Sequence, residues 1–545
     1  MSRHEEKKKS IVFIIFGILL SIVLVVFTGA LMYQLYNLQV LPDSFLIPVL
    51  IALVLFALIL LLLINFCTRG IISKIIYSFL VIAICVVYGF GNFYLYSTSK
   101  TLTTVTTQSN KAKNTVSVIA MNSSSMEDVK SLEGAKLGVL TNIGKESTDK
   151  SLKDIKKNKV TYTKKKYDNM PSLIKALYDG EVDAVVLNEA YRLNVCDIEE
   201  YANFNNETKV IHKTVYYTKE NSSPLAVSDI TSKPFNILIS GNDSFGSLDE
   251  NSRSDVDMLV TINPVTSTIL LTSIPRDSYV TEVCDDYACN YGVTDKLTHT
   301  GMYGVDTTKD TIENLLDIEI NYVYRVNFTS MINIVDALGG VDITVPKGMA
   351  VSKFYTNSNL EGVHEGKNHL DGKRALAYSR ERKAYLDGDV QRARNQQQVL
   401  QAMFKKASSP EIIKNYVNLL NALIGAFDTN MTTNEITSFI KYQIQAKPNW
   451  KFEQFVLKGD NDLRVSPELG SEVSVVILYD SYISIAHDKI QAVLDGKSSD
   501  TVEAQEDTPA GTLSEEEIEA QIQYGLMTEA PIEEEGSDIY YGTGN

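Results

Sequence analysis

The chain has 545 residues, which is too long for one soluble domain, so we expect a membrane part and about two folded domains. Its formal net charge is −16, and most of the acidic excess lies in residues 498–545, which contain no Lys or Arg. The rest of the chain is close to neutral, which argues against a nucleic-acid partner. The acidic tail is predicted to be a solvated, disordered extension.

Apolar segments near the N-terminus are long enough to cross a bilayer. They span residues 11–32, 45–66 and 75–95. The loop of residues 37–44 has no Lys or Arg, whereas three lysines precede the first segment and Arg69 and Lys74 lie between the second and third. The positive-inside rule therefore predicts a cytoplasmic N-terminus and an extracellular position for everything after residue 96.

A small α/β domain is predicted at residues 115–221, after a polar linker at residues 97–114. Residues 170–190 indicate a helix, a Gly stop and a buried strand. This pattern resembles one lobe of extracellular solute-binding proteins, and the domain is too short for the two lobes that clamp a ligand in that family. A structural spacer or a protein-docking module is the alternative, and we assign no ligand residues.

After a second linker at residues 222–234, short runs of β-branched residues predict three strands. They span residues 236–240, 258–262 and 268–274. Charged residues are absent from these runs and collect where the strands end. These residues are Asp243, Arg253, Asp255, Arg276 and Asp277. Charges of both signs at one edge of a sheet are typical of a site that holds a phosphate and its metal ion.

Strand and helix patterns continue to residue 457 and predict an α/β fold in which helices cover a sheet. Further strands are predicted at residues 322–326, 341–345 and 452–457, and helices at residues 307–316, 328–338, 372–379, 389–405, 410–426 and 432–445. In the helix 389–405, the spacing places Arg392, Asn395 or Gln396, and Val399 on one face.

Several arginines of this domain lie beside strand ends or polar turns, although Lys is the usual cation in the chain. They are Arg253, Arg276, Arg380, Arg382 and Arg392. Guanidinium groups bind phosphate oxygens in a flat, bidentate geometry, and a scatter of salt bridges is the alternative explanation. Asp243 and Asp255 suit Mg2+, with Mn2+ as a second candidate, because such an ion takes one or two carboxylates together with substrate oxygens. Together these residues predict a pyrophosphate site shared by metal and guanidinium groups.

Sequence blocks in a fixed order give a more specific indication. They are NILISGNDS, RSDVDMLVTINP, SIPRDSYV, DKLTHTGMYG, YVYRVNF, IVDALGGVDITVP, GKNHLDGKRALAYSRER and GDVQRARNQQQVL. Through these blocks, residues 235–405 closely resemble the LytR-CpsA-Psr family, whose members attach glycopolymers to the bacterial cell wall. The apolar segments and the intervening small domain are similar to the capsule-associated branch of that family.

The resemblance implies a role for each matching residue. Asp243 and Asp255 match positions that coordinate Mg2+, and Lys296 adds a positive contact. The positions that hold a polyprenyl pyrophosphate head group are matched by Arg253, Arg276, Arg380, Arg382, Arg392 and Gln396. Val256 stands where many members have Thr. The family fold is an α/β sheet flanked by helices with an apolar channel for the lipid, and the helix 328–338 would either line that channel or form plain core.

The activity that the resemblance implies is a Mg2+-dependent phosphotransfer outside the cell. A peptidoglycan hydroxyl would attack the sugar-linked phosphate of an undecaprenyl-pyrophosphate glycopolymer, of capsular or teichoic-acid type, and undecaprenyl phosphate would leave. The predicted catalytic residues are Arg253, Arg276, Arg380 and Arg382, with Asp277 and Asp389 as candidate bases. His299 is interpreted as a structural, hydrogen-bonding residue. Hydrolysis of polyprenyl pyrophosphates and a non-enzymatic membrane regulator that binds lipid-linked sugars remain as alternatives.

The order of segments completes the prediction. Cys284 and Cys289 are close enough to close a small disulfide loop if they lie outside the cytoplasm. The predicted segments are a cytoplasmic N-terminus at 1–10, three transmembrane helices at 11–96, a linker at 97–114, an accessory domain similar to solute-binding proteins at 115–221, a linker at 222–234, a catalytic domain with C-terminal helices at 235–497 and an acidic tail at 498–545.

Overall fold

The computed structural model is a mixed α/β protein with apolar N-terminal helices, which confirms the predicted fold class. It describes residues 3–39, 41–67, 71–106, 111–141, 143–219, 227–242, 248, 250–284, 289, 291–409, 412–423, 425–504 and 511–513. Within these residues, the three helices long and apolar enough to span a membrane are α1 (Arg3–Leu38), α2 (Asp43–Leu62) and α3 (Ile71–Thr106). Many of their Leu, Ile, Val and Phe side chains are exposed, which suits a surface that faces lipid.

The region that follows, residues 111–219, is called the accessory domain below. Its strands are β1 (Lys111–Met121), β2 (Lys136–Leu140), β3 (Thr163–Tyr167), β4 (Ala184–Asn188) and β5 (Thr208–Lys219), and its helices are α4 (Lys145–Lys157), α5 (Met170–Tyr178), α6 (Arg192–Cys196) and α7 (Phe204–Glu207). The strands form one sheet in the order β3-β2-β4-β1-β5, with β2 parallel to β3 and β4. The helix α5 begins where the Asn169 side chain accepts a hydrogen bond from Ser172 N at 2.9 Å, and Gly180 follows its end with a φ of 69°.

Residues 227–504 form the main domain. Its strands are β6 (Phe235–Asn242), β7 (Val256–Asn263), β8 (Thr268–Ile274), β9 (Tyr279–Thr281), β10 (Thr294–Lys296), β11 (Tyr322–Asn327), β12 (Val341–Val345), β13 (Val351–Lys353), β14 (Glu361–Val363), β15 (Gly366–Leu370), β16 (Phe427–Thr429), β17 (Lys451–Val456), β18 (Gly459–Ser466) and β19 (Ser471–Leu478). Its helices are α8 (Leu297–Thr300), α9 (Val305–Leu316), α10 (Phe328–Ala337), α11 (Gly372–Arg380), α12 (Gly388–Ala407), α13 (Ile412–Leu423), α14 (Thr433–Ala446) and α15 (Asp480–Leu494). Cys284 and Cys289, between β9 and β10, form a disulfide.

The central sheet of the main domain has the strand order β16-β11-β6-β7-β8-β17 and is covered by helices on both faces. In β7, Met258, Val260 and Ile262 face α12 and α14, while Leu259 faces α9 and α15. Successive side chains of a strand point to opposite faces, so a strand covered on both sides needs apolar residues at both. This double burial explains why the charged residues of the region lie at the strand ends.

The helix α12 is fixed to the central sheet by one buried amide. Gln397 Nε2 donates to Leu271 O at 3.1 Å, to Ser273 Oγ at 3.0 Å and to Phe455 O at 2.9 Å. These acceptors belong to β8 and β17, which are neighbours in the sheet. The contact therefore sets the position of α12, and of the polar residues on its first turns, relative to the end of β8.

The helix α10 contributes its Val335 to a separate core with β12, β15, α11 and α12. Beyond α15, the first residues of the predicted tail are ordered, because Ser499 N donates to Glu453 Oε2 at 2.7 Å and Lys489 Nζ donates to Ser499 O at 2.8 Å. Residues 514–545 lie outside the described residues.

The accessory domain and the main domain meet through a buried polar contact. The hydroxyls of Tyr191, in the accessory domain, and Tyr303 each donate to the Glu468 carboxylate. Met302 and Leu469 of the main domain pack into the apolar core of the accessory domain. Burial raises the pKa of Glu468, although the two tyrosine hydroxyls oppose this shift.

We predict that Tyr191→Phe destabilises the folded chain by about 1–3 kcal/mol, because it removes one donor from a buried carboxylate. The midpoint of urea unfolding, followed by the fluorescence of Trp450, the single tryptophan, measures the effect in the detergent-solubilised chain. Tyr178→Phe is the matched control, since Tyr178 donates to Glu207 at an exposed site, at 2.6 Å. Equal midpoints for the two variants would contradict the importance of the buried contact.

The raised pKa of Glu468 also predicts a pH dependence. A carboxyl whose pKa is higher in the folded state stabilises that state below the unfolded pKa, and this stabilisation is lost as the pH rises through the folded pKa. The unfolding free energy of the wild type should therefore fall relative to that of Glu468→Gln as the pH rises above about 4.5. Urea unfolding across a pH series checks this, with Glu472→Gln, at an exposed position of β19, as control. Parallel pH profiles for the wild type and Glu468→Gln would show the prediction to be wrong.

Candidate active site

A cavity of about 480 Å3 lies between the two domains, where the accessory domain faces the end of β8 and the end of β10. It is lined by Met170, Pro171, Asn194, Asp197 and Ile198 on the accessory side, and by Arg253, Arg276, Asp277, Lys296, Thr298, His299, Leu469, Ser471, Glu472, Val473 and Ser474 on the main-domain side. Three cationic side chains predicted from the sequence therefore share one cavity. The accessory domain forms part of its wall, which the sequence did not predict.

Arg276 follows β8 and is held by carboxylates of the main domain. Its Nη1 lies 2.5 Å from Asp255 Oδ1, and its Nε lies 3.6 Å from Asp277 Oδ2. Asp255 also accepts a hydrogen bond from Thr298 Oγ1 at 3.2 Å. The Asp255 carboxylate raises the pKa of Arg276, against the opposing effect of burial. The guanidinium is thus charged and fixed at the edge of the cavity.

Lys296, at the end of β10, belongs to the same group of charges. Its Nζ lies 2.5 Å from Asp277 Oδ1. Burial raises the pKa of Asp277, but the charges of Arg276 and Lys296 outweigh it and hold that pKa below its usual value. A carboxylate that stays ionised between two cations is a weak proton acceptor. Asp277 therefore holds Arg276 and Lys296 in place. The geometry favours this positioning role over the predicted role of Asp277 as a base.

Arg253 lies in the loop before β7, and its guanidinium forms an ion pair with the Asp197 carboxylate of the accessory domain. The loop is held against the short helix α8 by a close backbone approach at Gly301. A Cβ on Gly301 would lie 2.6 Å from both Ser252 O and Ser254 N. Only a residue without a side chain fits there. The close contact places Arg253 next to Thr298 and the rest of the cavity.

A second group of charges lies at the start of α12. Asp389 Oδ1 is 2.8 Å from Arg392 Nη2 and 3.6 Å from Arg382 Nη1. Burial lowers the pKa of Arg392, and the positive charges of Arg276 and Arg382 add to this, while Asp389 opposes it. Arg276 of the first group therefore contributes to the lowered pKa of Arg392 in the second. Asp389, the other candidate base, is held between two guanidinium groups.

Arg380 is the last residue of α11, and its guanidinium carbon lies 4.3 Å from the ring centroid of Phe328. The next residue, Glu381, is fully buried and accepts hydrogen bonds from Tyr355 N at 2.6 Å and Ala384 N at 3.2 Å. Burial raises the pKa of Glu381, and these backbone donors oppose the shift. Glu381 thereby fixes the turn from which Arg382 projects, so it is a positioning residue for that arginine.

Asn395 and Gln396, the two candidates for a polar contact on α12, differ in burial and in their contacts. Asn395 is buried, and its Nδ2 donates to Tyr378 O at 3.1 Å. Gln396 is half-buried and lies one turn beyond Arg392 on the same helix face. The predicted contact residue Gln396 therefore shares the side of α12 that carries Arg392.

His299 lies in α8 and lines the cavity, although it is almost fully buried. Its Nδ1 is 3.0 Å from Asp295 Oδ1. Asp295 also accepts hydrogen bonds from Ser466 Oγ at 2.7 Å and Glu468 N at 3.0 Å. These contacts agree with the interpretation of His299 as a hydrogen-bonding residue that ties α8 to the turn between β18 and β19.

The predicted metal ligands are described only in part. Asp243 lies outside the described residues. The described part of the chain contains no cluster of three or more His, Cys, Asp or Glu residues able to hold a metal ion. Mg2+ needs only one or two carboxylates when phosphate oxygens complete its shell, so the buried Asp255 beside Arg276 fits such an ion. Val256, the residue that replaces Thr, begins β7.

Asp257, just beyond Asp255, is a buried acid that the sequence did not single out. Ser254 Oγ donates to its Oδ1 at 2.6 Å, and Ser240 Oγ lies 2.8 Å from Ser254 Oγ. Burial raises the pKa of Asp257 to about 8, and the neighbouring Asp255 adds to this shift. Asp257 is therefore favoured in its neutral, protonated form next to the carboxylate that pairs with Arg276.

Comparisons with known proteins identify the family of the chain. Residues 199–470 match the LytR_cpsA_psr family. The chain is 34% identical over 243 residues to the polyisoprenyl-teichoic acid–peptidoglycan teichoic acid transferase TagU of Bacillus cereus, an alignment that covers 43% of this chain and 73% of that protein. It is 33% identical over 261 residues to TagU of Bacillus mycoides, which covers 48% of this chain and 80% of that protein.

The crystal structure of B. subtilis TagT aligns with this fold at 27% sequence identity and a TM-score of 0.38, and covers 50% of this chain and 95% of that chain. The sequence relatives, matched over most of their own length, decide the family. The chain belongs to the LytR-CpsA-Psr family.

Proposed function

We propose that this chain is a membrane-anchored, extracellular phosphotransferase that moves a glycopolymer from a polyprenyl pyrophosphate to peptidoglycan. The observation that carries the proposal is the meeting of Arg253, Arg276 and Lys296 at one cavity. Such a concentration of cations suits a ligand with several negative charges, such as a pyrophosphate. The names of the TagU relatives, which state a polyisoprenyl-linked donor and a peptidoglycan acceptor, support this reading.

For the donor polymer, we favour a teichoic-acid type, since the TagU relatives are named for that polymer. A capsular polysaccharide on undecaprenyl pyrophosphate is the second candidate, and it rests on the resemblance of the apolar helices and accessory domain to the capsule-associated branch. For the orientation, we propose a cytoplasmic N-terminus and an extracellular main domain. The loop with Arg69 and Lys74 lies on the same side of the membrane as the N-terminus, whereas the loop of residues 37–44, on the other side, has no Lys or Arg.

The reaction would exchange one phosphorus–oxygen bond for another. The acceptor hydroxyl attacks the sugar-linked phosphorus, forms a new phosphodiester bond and gives up its proton, which the leaving lipid phosphate takes up. The bond to the bridging oxygen breaks, and the lipid monophosphate leaves with the electron pair. Arg276 and Lys296, held by Asp277 and Asp255, neutralise charge that develops on the phosphate oxygens without having to reorganise.

Mg2+ is proposed as the cofactor, with Asp255 and Asp243 as its protein ligands. When bound, the ion would supply positive charge to the phosphate oxygens. Asp255 would then be shared between the ion and Arg276, which is 2.5 Å away. Mn2+ has the same preference for carboxylate oxygens and is the expected substitute.

A direct test uses the detergent-solubilised chain and a labelled polyprenyl-pyrophosphate-linked teichoic-acid oligomer, with and without peptidoglycan. Label joined to peptidoglycan supports the proposal. Release of free sugar phosphate without peptidoglycan labelling would instead identify a phosphohydrolase. Tight binding without any turnover would identify a regulator that recognises lipid-linked sugars.

Arg276→Ala should reduce turnover by about 100-fold or more, because a fixed charge-assisted donor in a largely dry site is lost from the transition state. Rates of peptidoglycan labelling measure the effect. Arg464→Ala is the control, since Arg464 lies exposed in β18, paired with Asp462 at 2.7 Å. If both variants turn over like the wild type, Arg276 does not contact the reacting phosphate.

Asp255→Asn should lose both activity and its dependence on Mg2+, because the amide is a poor ligand for a hard cation. Titration of Mg2+ into chelator-treated protein, read by calorimetry as well as by turnover, measures the dependence. Asp462→Asn, at the exposed pair with Arg464, is the control. A Mg2+ response in Asp255→Asn that equals the wild type would place the metal elsewhere.

A further inference from the structure

We propose that Asp197 of the accessory domain is an internal competitor for the phosphate that binds Arg253. In this proposal, the Asp197 carboxylate pairs with the Arg253 guanidinium, and an incoming anionic head group must displace the carboxylate. The inference rests on the proposed function, because it names what the pyrophosphate encounters at one of its predicted contacts. It also gives the accessory domain a part in the binding step.

The two arginines that face the cavity have carboxylate partners of different kinds. Arg276 pairs with Asp255, whose side chain is 8% exposed and which Thr298 also holds. Arg253 pairs with Asp197, whose side chain is 66% exposed. Among the residues that the structure describes, the Asp197 side chain has no further hydrogen bond or ion pair. The Asp255 carboxylate is therefore largely buried, whereas the Asp197 carboxylate faces solvent and, within the described residues, is held by Arg253 alone.

The backbone that carries Asp197 is fixed in place, although its side chain is not. Asp197 follows α6, and its N–H donates to Leu193 O at 2.9 Å. At the start of the same helix, Tyr191 donates to the buried Glu468 of the main domain. Farther away, Lys113 Nζ lies 2.8 Å from Glu250 Oε1 across the same domain boundary. Rotation of the Asp197 side chain is thus enough to break its ion pair with Arg253, and no movement of the domain is required.

The balance between the two anions follows from their charge and geometry. A carboxylate that is largely exposed contributes little through an ion pair, because water screens it and the side chain loses freedom. A pyrophosphate carries several charges and offers planar sets of oxygens that match a guanidinium in a bidentate manner. The phosphate therefore displaces Asp197, and removal of the Asp197 charge strengthens phosphate binding. A residue that only supported Arg253 would act in the opposite direction.

The experiment measures the affinity of the full detergent-solubilised chain for geranyl pyrophosphate, by calorimetry in the presence of Mg2+. We expect Asp197→Asn and Asp197→Ser to bind about two- to fivefold more tightly than the wild type, the range that the loss of a competing surface ion pair gives. Asp197→Glu keeps the charge and should stay close to the wild type. Asp149→Asn removes an equal charge from an exposed position of α4 and should have no effect.

Steady-state kinetics with the lipid-linked donor provide a second readout, in which Asp197→Asn lowers KM without raising kcat. Equal or weaker binding of geranyl pyrophosphate by both neutral variants overturns the inference. If the wild type binds the probe and Arg276→Ala weakens that binding while Asp197→Asn leaves it unchanged, only the role of Asp197 fails. If the wild type does not bind the probe at all, the proposed function fails and the inference fails with it.

Discussion

Several cationic side chains can share one cavity only if carboxylates lie between them, and the site depends on this constraint. Asp255 lies against Arg276, Asp277 lies between Arg276 and Lys296, and Asp389 lies between Arg382 and Arg392. Each carboxylate lowers the electrostatic repulsion between the cations beside it, so these cations can lie close together. Asp277 and Asp389, which look like candidate bases in the sequence, are better explained as the negative charges that make this grouping stable.

The rest of the main domain brings the two groups of charges together and limits their movement. Gln397 connects α12 to β8 and β17, so that Arg392 is set against the strand end that carries Arg276. Gly301 allows α8 to contact the backbone of the loop that carries Arg253. Glu381 holds the turn that carries Arg382. Gln397, Gly301 and Glu381 all act through contacts with backbone atoms. They fix the positions of the three arginines and do not themselves line the cavity.

The sequence was sufficient for most of the fold and for the cations of the site. The sequence predicts the ends of β7, β8 and α12 to within about two residues. A strand buried on both faces is visible as a run of β-branched residues, and a helix is visible through the spacing of its apolar residues. The arginines stood out because Lys is the usual cation elsewhere. The sequence does not predict Glu381 or Asp197 as site residues, for a physical reason. In the sequence, Glu381 resembles a surface acid between two arginines, and Asp197 contacts a residue 56 positions away. Burial and contacts across domains are not properties of a local sequence pattern.

The position of the accessory domain changes how the site should be described. A site made by the main domain alone would end at the main-domain wall and would lack the Asp197 carboxylate. With Tyr191 docked on Glu468, the segment around Asp197 closes the cavity and supplies an anion to it. The same helix α6 lies between Tyr191 and Asp197, so the docking contact helps to set the position of Asp197 relative to Arg253. A change that loosens the buried Tyr191–Glu468 contact would act on phosphate binding from outside the set of phosphate-binding residues.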